Sequence, residues 1–241
     1  MKTGIALGSA VILVTAEPLF AQSISLSLGD ESGSLSSTTL SLFALITILG
    51  IAPGIAVMVS CFPFILTVFS ILRQAIGLQQ APPNMLIVSL SLFLTYYIME
   101  PVFILSWQNG ISPLVDGRVD LMTAWPLIAA PFQDFMIARV NPDILSSFSE
   151  LRAYANDTQG PRLSTLIPSF MVSEMTRAFQ IGFMIFLPFL VIDLVVSAVL
   201  MSMGMMMVPP AVVALPFKLA FFAVADGWTL LSTALVRGYI G

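Results

Sequence analysis

Residues able to do acid–base, nucleophilic or metal chemistry are scarce in this 241-residue chain. It has no histidine, and its single cysteine, Cys61, sits in an apolar run. That removes Cys/His metal sites, an internal disulfide and any histidine-based triad. No cluster of acids in the sequence suggests a carboxylate-only metal site, and no cofactor motif is evident. Asp193 and Asp226 each lie in an apolar stretch, where an ionisable residue is a functional candidate by default. No Gly-x-Gly-Asp pattern surrounds either, and an acid dyad or proton relay needs a placed partner that spacing does not supply. A structural role is therefore preferred for both, with Asp193 either staying protonated or accepting hydrogen bonds from helix ends or from Trp228.

Two further charges stand in largely apolar surroundings, Glu174 and Lys218. An unpaired charge at the centre of a bilayer costs about 3 kcal/mol on insertion scales. Pairing with each other, within or between subunits, is the simplest solution, and separate snorkelling to an interface is the alternative. Met205, Met206 and Met207 form a triplet in a chain holding 14 methionines. Methionine is unbranched and polarizable, so several copies in a ring could seal around varied peptide segments and yield to them. The plainer reading is a greasy helix end. Gln79, Gln80, Pro82 and Pro83 belong to a turn between helices, because paired prolines cannot continue a helix; a docking surface is the other reading.

The elements that carry these residues are strongly apolar. The chain is 58% hydrophobic and 9% charged, against roughly 25% charged for soluble domains. So much apolar surface must face lipid, protein partners or both. The net charge of −4 is spread out, without the basic stripe that nucleic-acid binding requires. Lys2, an apolar run over residues 3–16 and Ala21 have the form of a secretory signal peptide over residues 1–21, with cleavage after Ala21 or after Ala16. Residues 22–37, rich in Ser and Gly, read as a flexible linker.

Residues 32–72 contain no charge, but Pro53 and Pro63 interrupt them, predicting a broken or kinked helical segment. A second apolar run starts at Met85 and trails to Trp107, so residues 38–107 form a first helical hairpin. Residues 108–165 hold most of the remaining charge and form a small helical insertion with polar faces. Within it, Asn141-Pro142-Asp143 reads as a helix start, and Ile144, Leu145, Phe148 and Leu151 recur at helical spacing. Residues 166–241 form a second hairpin, with the Met-rich loop at its bend and Pro188 and Pro216 inside its arms. No period-2 pattern rises above this, so the fold class is all-α: two Pro-broken hydrophobic hairpins flanking a polar helical insertion. Prolines and lone charges in such arms are tolerated where they face protein or a water-filled cavity.

Three blocks carry a resemblance. The first surrounds Gly77-Leu78-Gln79-Gln80-Ala81-Pro82-Pro83-Asn84. The second holds Ile167-Pro168-Ser169-Phe170, Ser173-Glu174 and Ala178-Phe179-Gln180-Ile181-Gly182-Phe183. The third runs from Phe186-Leu187-Pro188 through Asp193, Gly204-Met205-Met206-Met207-Val208-Pro209-Pro210 and Leu215-Pro216-Phe217-Lys218 to Asp226-Gly227-Trp228. Over residues 38–235 the chain resembles the FliP family of flagellar export-gate proteins, and the injectisome counterparts share much of the pattern. Several long blocks in order are far more specific than one short motif.

The resemblance implies a non-enzymatic, cofactor-free, pore-building subunit of the bacterial inner membrane and flagellar basal body, with its complex largely on the periplasmic side. It implies a homo-oligomer, a pentamer in the family, joined by FliQ-like and FliR-like subunits and by FlhA/FlhB-like export components. Unfolded export substrates would cross the channel. The insertion would be periplasmic, the methionine triplet would stand at the place of a pore gasket, and Glu174 and Lys218 would hold adjacent subunits together. The signal peptide and linker favour the flagellar branch. A small secondary transporter with a midplane site near Asp193 and Asp226 is the rival reading, since broken helices are also a transporter device; the internal repeat it would favour is not evident in the sequence.

Overall fold

The computed structural model describes residues 42–43, 46–47, 50–51, 53–78, 82–151, 161–205 and 207–240. The signal peptide expected over residues 1–21 and the linker over 22–37 lie outside them, as do Gln79, Gln80 and Met206. The chain divides into two units, Met1–Thr47 and Ile48–Gly241, and the elements named here all belong to the second. The described residues are all-α, without a strand among them.

Residues 53–58 are helical, and the helix stops at residues 59–61. The expected break falls there because Pro63 restarts the chain as the second residue of helix α1, Phe62–Ile76, a position whose N–H has no helical acceptor in any case. The Ser60 hydroxyl bridges the break, donating to the Val57 carbonyl at 2.8 Å and accepting from Phe62 N–H at 3.3 Å. Helix α1 ends at Gly77, which takes the left-handed conformation at φ 89° that glycine adopts without strain.

Helix α2, Asn84–Ser106, continues through a π turn at Trp107–Ile111 into the short α3, Ser112–Val115. The helical course thus runs past Trp107, where the first hairpin was expected to end. Gly110 sits on that π turn with no room for a Cβ against the backbone of Ile128. Ile128 belongs to α4, Leu121–Ile137, and its carbonyl accepts from the Ser106 hydroxyl at 3.0 Å. Helix α4 is apolar and packs back onto the hairpins through Phe132, Phe135 and Met136. Among the described residues of the insertion, a polar face is carried by α5, Pro142–Glu150, whose cap is Asn141 accepting from Asp143 N–H.

Helix α6, Leu163–Ser202, is 40 residues long and contains Pro168 and Pro188 without ending at either. At 1.5 Å per residue it measures about 60 Å, roughly twice the ~30 Å hydrocarbon thickness of a bilayer. It runs parallel to α1: Arg177 lies over Phe64, and Gly182 admits Ile71 where a Cβ would collide. The α1–α6 contact organises the main core of Phe64, Ile65, Val68, Phe69, Leu72, Ala178 and Phe189. Helix α7, Pro210–Val224, returns from the Met loop, and α8, Gly227–Ile240, follows a 59° bend. The stretches Asn84–Val115 and Leu163–Ser202 are each long and apolar enough to cross a membrane, and α7 with α8 would make a third, broken span.

Candidate functional site

Two polar nodes interrupt the apolar length of α6, and the first is built on Lys218 of α7. Lys218 is 6% exposed, and its ammonium donates to Asp193 Oδ2 at 2.7 Å and to the Ala75 carbonyl at 3.0 Å. The carbonyl is one of those left without a helical donor in the last turn of α1, where a cation is also favoured by the helix dipole. One side chain thus ties α1, α6 and α7 together. Asp193 Oδ1 is buried without a partner among the described residues. The bond that sequence reasoning sought for Asp193 from a helix end or Trp228 comes instead from Lys218; Trp228 packs on Phe222 and Phe69, with ring centroids 5.4 and 6.0 Å away.

The second node surrounds Glu174, 1% exposed. One carboxylate oxygen accepts from the Tyr239 hydroxyl of α8, and the other, Oε1, is buried without a partner among the described residues. Tyr239 is stacked on Phe135 at 6.2 Å and meets Phe64 edge-on at 5.4 Å. Two arginines close on the same turn. Arg139 donates to the carbonyls of Gly238 and Tyr239, and its guanidinium lies 4.2 Å from the centre of the Tyr239 ring. Arg177 donates to the Gly238 carbonyl at 3.1 Å and lies 5.4 Å from the centres of both Tyr239 and Phe64. Burial lowers the Arg139 pKa, with the nearby Arg177 acting in the same direction, yet a guanidinium stays charged in proteins. Cys61 is completely buried, and desolvation pushes its thiol up to about 12, with a hydrogen bond from Thr95 opposing and Glu174 adding to the rise.

Glu174 and Lys218 therefore do not pair within one chain. Each has an intrachain partner instead, because α1, α6 and α8 bring Ala75, Asp193 and Tyr239 to them. Tyr239, Arg139 and Arg177 were missed by sequence reasoning. The available signal was Arg177 three residues after Glu174, a spacing that puts both on one side of a helix. Asp226 stands exposed at the α7–α8 bend with φ 47°, so its surroundings differ from those of Asp193, and among the described residues no group of acids could hold a metal ion.

The Met loop is built by a helix end. Gly204, at φ 75°, donates to the Met201 carbonyl at 3.1 Å, and Met205 donates to the Leu200 carbonyl at 3.0 Å. These two bonds close α6 in a Schellman arrangement. Pro209 and Pro210 then start α7. Met205 is 38% and Met207 96% exposed, far more than a packing role requires. At the other hairpin, Pro83 caps α2 and accepts from Leu86 N–H at 3.0 Å, while Arg73 bonds Asn84 across the turn that includes Pro82.

Against known proteins, residues 45–235 match the model of the FliP family. The chain belongs to the FliP family. It is 43% identical to the flagellar biosynthetic protein FliP of Caulobacter vibrioides, an alignment covering 95% of this chain and 87% of that protein. To the FliP of Rhizobium meliloti it is 43% identical, over 86% of each chain. To that of Bacillus subtilis it is 40% identical, over 84% of this chain and 93% of that protein. Both polar nodes lie within the matched span except for Gly238 and Tyr239, which fall just beyond its end.

Proposed function

We propose that this chain is a core pore-forming subunit of the flagellar type III export gate, conducting unfolded flagellar export substrates across the bacterial inner membrane. It does so without enzymatic activity of its own, as a homo-oligomer with FliQ-like and FliR-like subunits, next to FlhA/FlhB-like components in the basal body. FliP-family membership across both hairpins supports the apparatus. The observation that carries the pore is the Met loop, where Met205 and Met207 stand exposed at the tip of a hairpin that carries no charge between Asp193 and Lys218. A ring of these flexible thioethers would close around a chain of any sequence. The large apolar side chains left uncovered on α6 and α7, Phe179, Phe183, Met184, Leu194, Val212 and Phe217 among them, supply surface for neighbouring copies and lipid.

An inter-subunit contact between Glu174 and Lys218 belongs to the same reading. Glu174 keeps one buried oxygen free among the described groups. Lys218 has three donors and spends two on Asp193 and Ala75. Native mass spectrometry of the detergent-extracted complex, after co-expression with FliQ-like and FliR-like partners, tests the assignment. A closed particle with several copies of this chain and both partners is expected. A monomer or dimer that ignores both would overturn it.

A further inference from the structure

Helix α8 is attached in an unusual way. Its joint to α7 is Asp226, a non-glycine residue at φ 47°, a backbone state that ordinary residues seldom adopt. Gly227 follows, in a place where a Cβ would collide with the Phe222 ring. Leu235 and Tyr239 are the large apolar residues that α8 buries, whereas Leu230 and Ile240 are exposed. Its last turn is held by the Tyr239 ring against Phe64 and Phe135 and by polar bonds: two arginines on the carbonyls of Gly238 and Tyr239, and one phenol on Glu174.

That phenol occupies the carboxylate on which the proposed subunit contact depends. Glu174 is buried by the turn that bonds it, and its second oxygen has no donor among the described residues. A carboxylate buried with one neutral hydrogen bond is poorly compensated. An ammonium from a neighbouring copy would satisfy it better than a phenol does. The arginines would remain to hold the turn's carbonyls, so the turn can be released in part without freeing α8 altogether.

We infer that the last turn of α8 is a latch: Tyr239 reserves the Glu174 carboxylate in the unassembled chain and yields it when a neighbouring subunit supplies a cation. The inference rests on the export-gate reading and deepens it. Tyr239 is a positioning residue, acting through Glu174. The latch gives the buried anion one donor before assembly, and opening requires a stronger one from the neighbouring subunit.

Cys61, the chain's single cysteine, is fully buried in the core that Tyr239 covers, so its reaction with N-ethylmaleimide reports whether the latch is seated. The experiment compares full-length wild type, Tyr239→Phe and Glu174→Gln, each co-expressed with FliQ-like and FliR-like partners and followed in time by native gel and thiol labelling. Tyr239→Phe keeps the ring and its stacking and loses only the donor. It is expected to label at least threefold faster at Cys61 before assembly and to enter the oligomer at least threefold sooner. Glu174→Gln keeps an acceptor for Tyr239 but not the charge, and is expected to label like wild type and assemble at least threefold more slowly. A merely structural Tyr239 would give faster labelling with unchanged or slower assembly, and that result, or unchanged labelling, overturns the latch alone. Wild type that forms no oligomer overturns the export-gate reading, and the latch with it.

Discussion

Replacing Lys218 by methionine keeps the length and apolar stem of the side chain and removes its charge and donors. Asp193 then loses its 2.7 Å partner and the Ala75 carbonyl its 3.0 Å donor. Removing one member of a buried ion pair costs roughly 3–5 kcal/mol. The Asp193 side chain is 37% exposed, so water relieves part of that charge, and about 2 kcal/mol is the appropriate figure. The orphaned carbonyl adds about 1 kcal/mol. The expected loss is thus about 3 kcal/mol, more than a hundredfold in the folding equilibrium. Adding Asp193→Leu to Lys218→Met removes both partners, and most of the ion-pair share should return, because an apolar pair of similar volume replaces a charge left alone. The assay is unfolding of the detergent-extracted chain with denaturant, across the two single variants and the double. A Lys218→Met chain as stable as wild type would refute the node. So would a double variant no more stable than Lys218→Met, because the carboxylate would then not be what the lysine serves.

The other predictions concern separate parts of the chain. Replacing Met205 and Met207 together by alanine should leave unfolding within about 0.5 kcal/mol of wild type, as expected of exposed positions, while raising ion leak through the assembled complex in planar-bilayer recordings. Unchanged leak would argue against a gasket. Asp120 caps α4 by accepting from Thr123 N–H, and the Thr123 hydroxyl bond holds its carboxyl below the usual carboxylate range. A depressed folded pKa means that the contribution is complete above the unfolded value, about 4, and is lost as pH falls through the folded one. Hydrogen exchange at residues 121–124 should therefore lose protection in that acid window for wild type and show no such step for Asp120→Asn. Cys61, with its thiol pushed up to about 12, should react with maleimide in the native chain at least a hundredfold more slowly than after SDS denaturation. Raising the pH from 7 to 9 should leave the native rate far below that of an exposed thiol, since the thiolate is the reactive form.

The all-α class and the hairpin order were legible because uncharged runs of 20 and more residues leave few alternatives. Pro63 and the Pro209-Pro210 pair marked true helix starts, because proline lacks only an N–H that the first turn does not use. Pro168, Pro188 and Pro216 did not end their helices. Packing against neighbouring helices holds the backbone through them, a tertiary effect absent from local sequence. The lone charges stood out in the sequence, but the contacts the structure gives them did not. Lys218 reaches Ala75 across 143 positions of sequence and Glu174 reaches Tyr239 across 65, distances at which residue type carries no pairing information. Arg139 was unreadable for a further reason: it serves backbone carbonyls, which every residue possesses, whereas Arg177 offered only its spacing from Glu174.

The spacing of the two nodes gives the long helix its logic. Glu174 and Asp193 are 19 positions apart on α6, about 29 Å along the axis at 1.5 Å per residue, close to the ~30 Å thickness of a hydrocarbon core. From Ala178 to Ile192 no charge intervenes. If this segment alone faced lipid, both charges would stand at the two interfaces and could reach water by themselves. Instead each is drawn inward and satisfied by another helix: Asp193 by Lys218, Glu174 by Tyr239. An interface location needs no such partners, because snorkelling is cheap there. Internal pairing at both ends is what a helix requires when its flanks are to be covered by protein, and it leaves the apolar face between them uncovered within the chain. The same economy explains why a 40-residue helix is kept whole through two prolines: both nodes are built on it, and a break between them would separate the contacts that α7 and α8 make with its two ends.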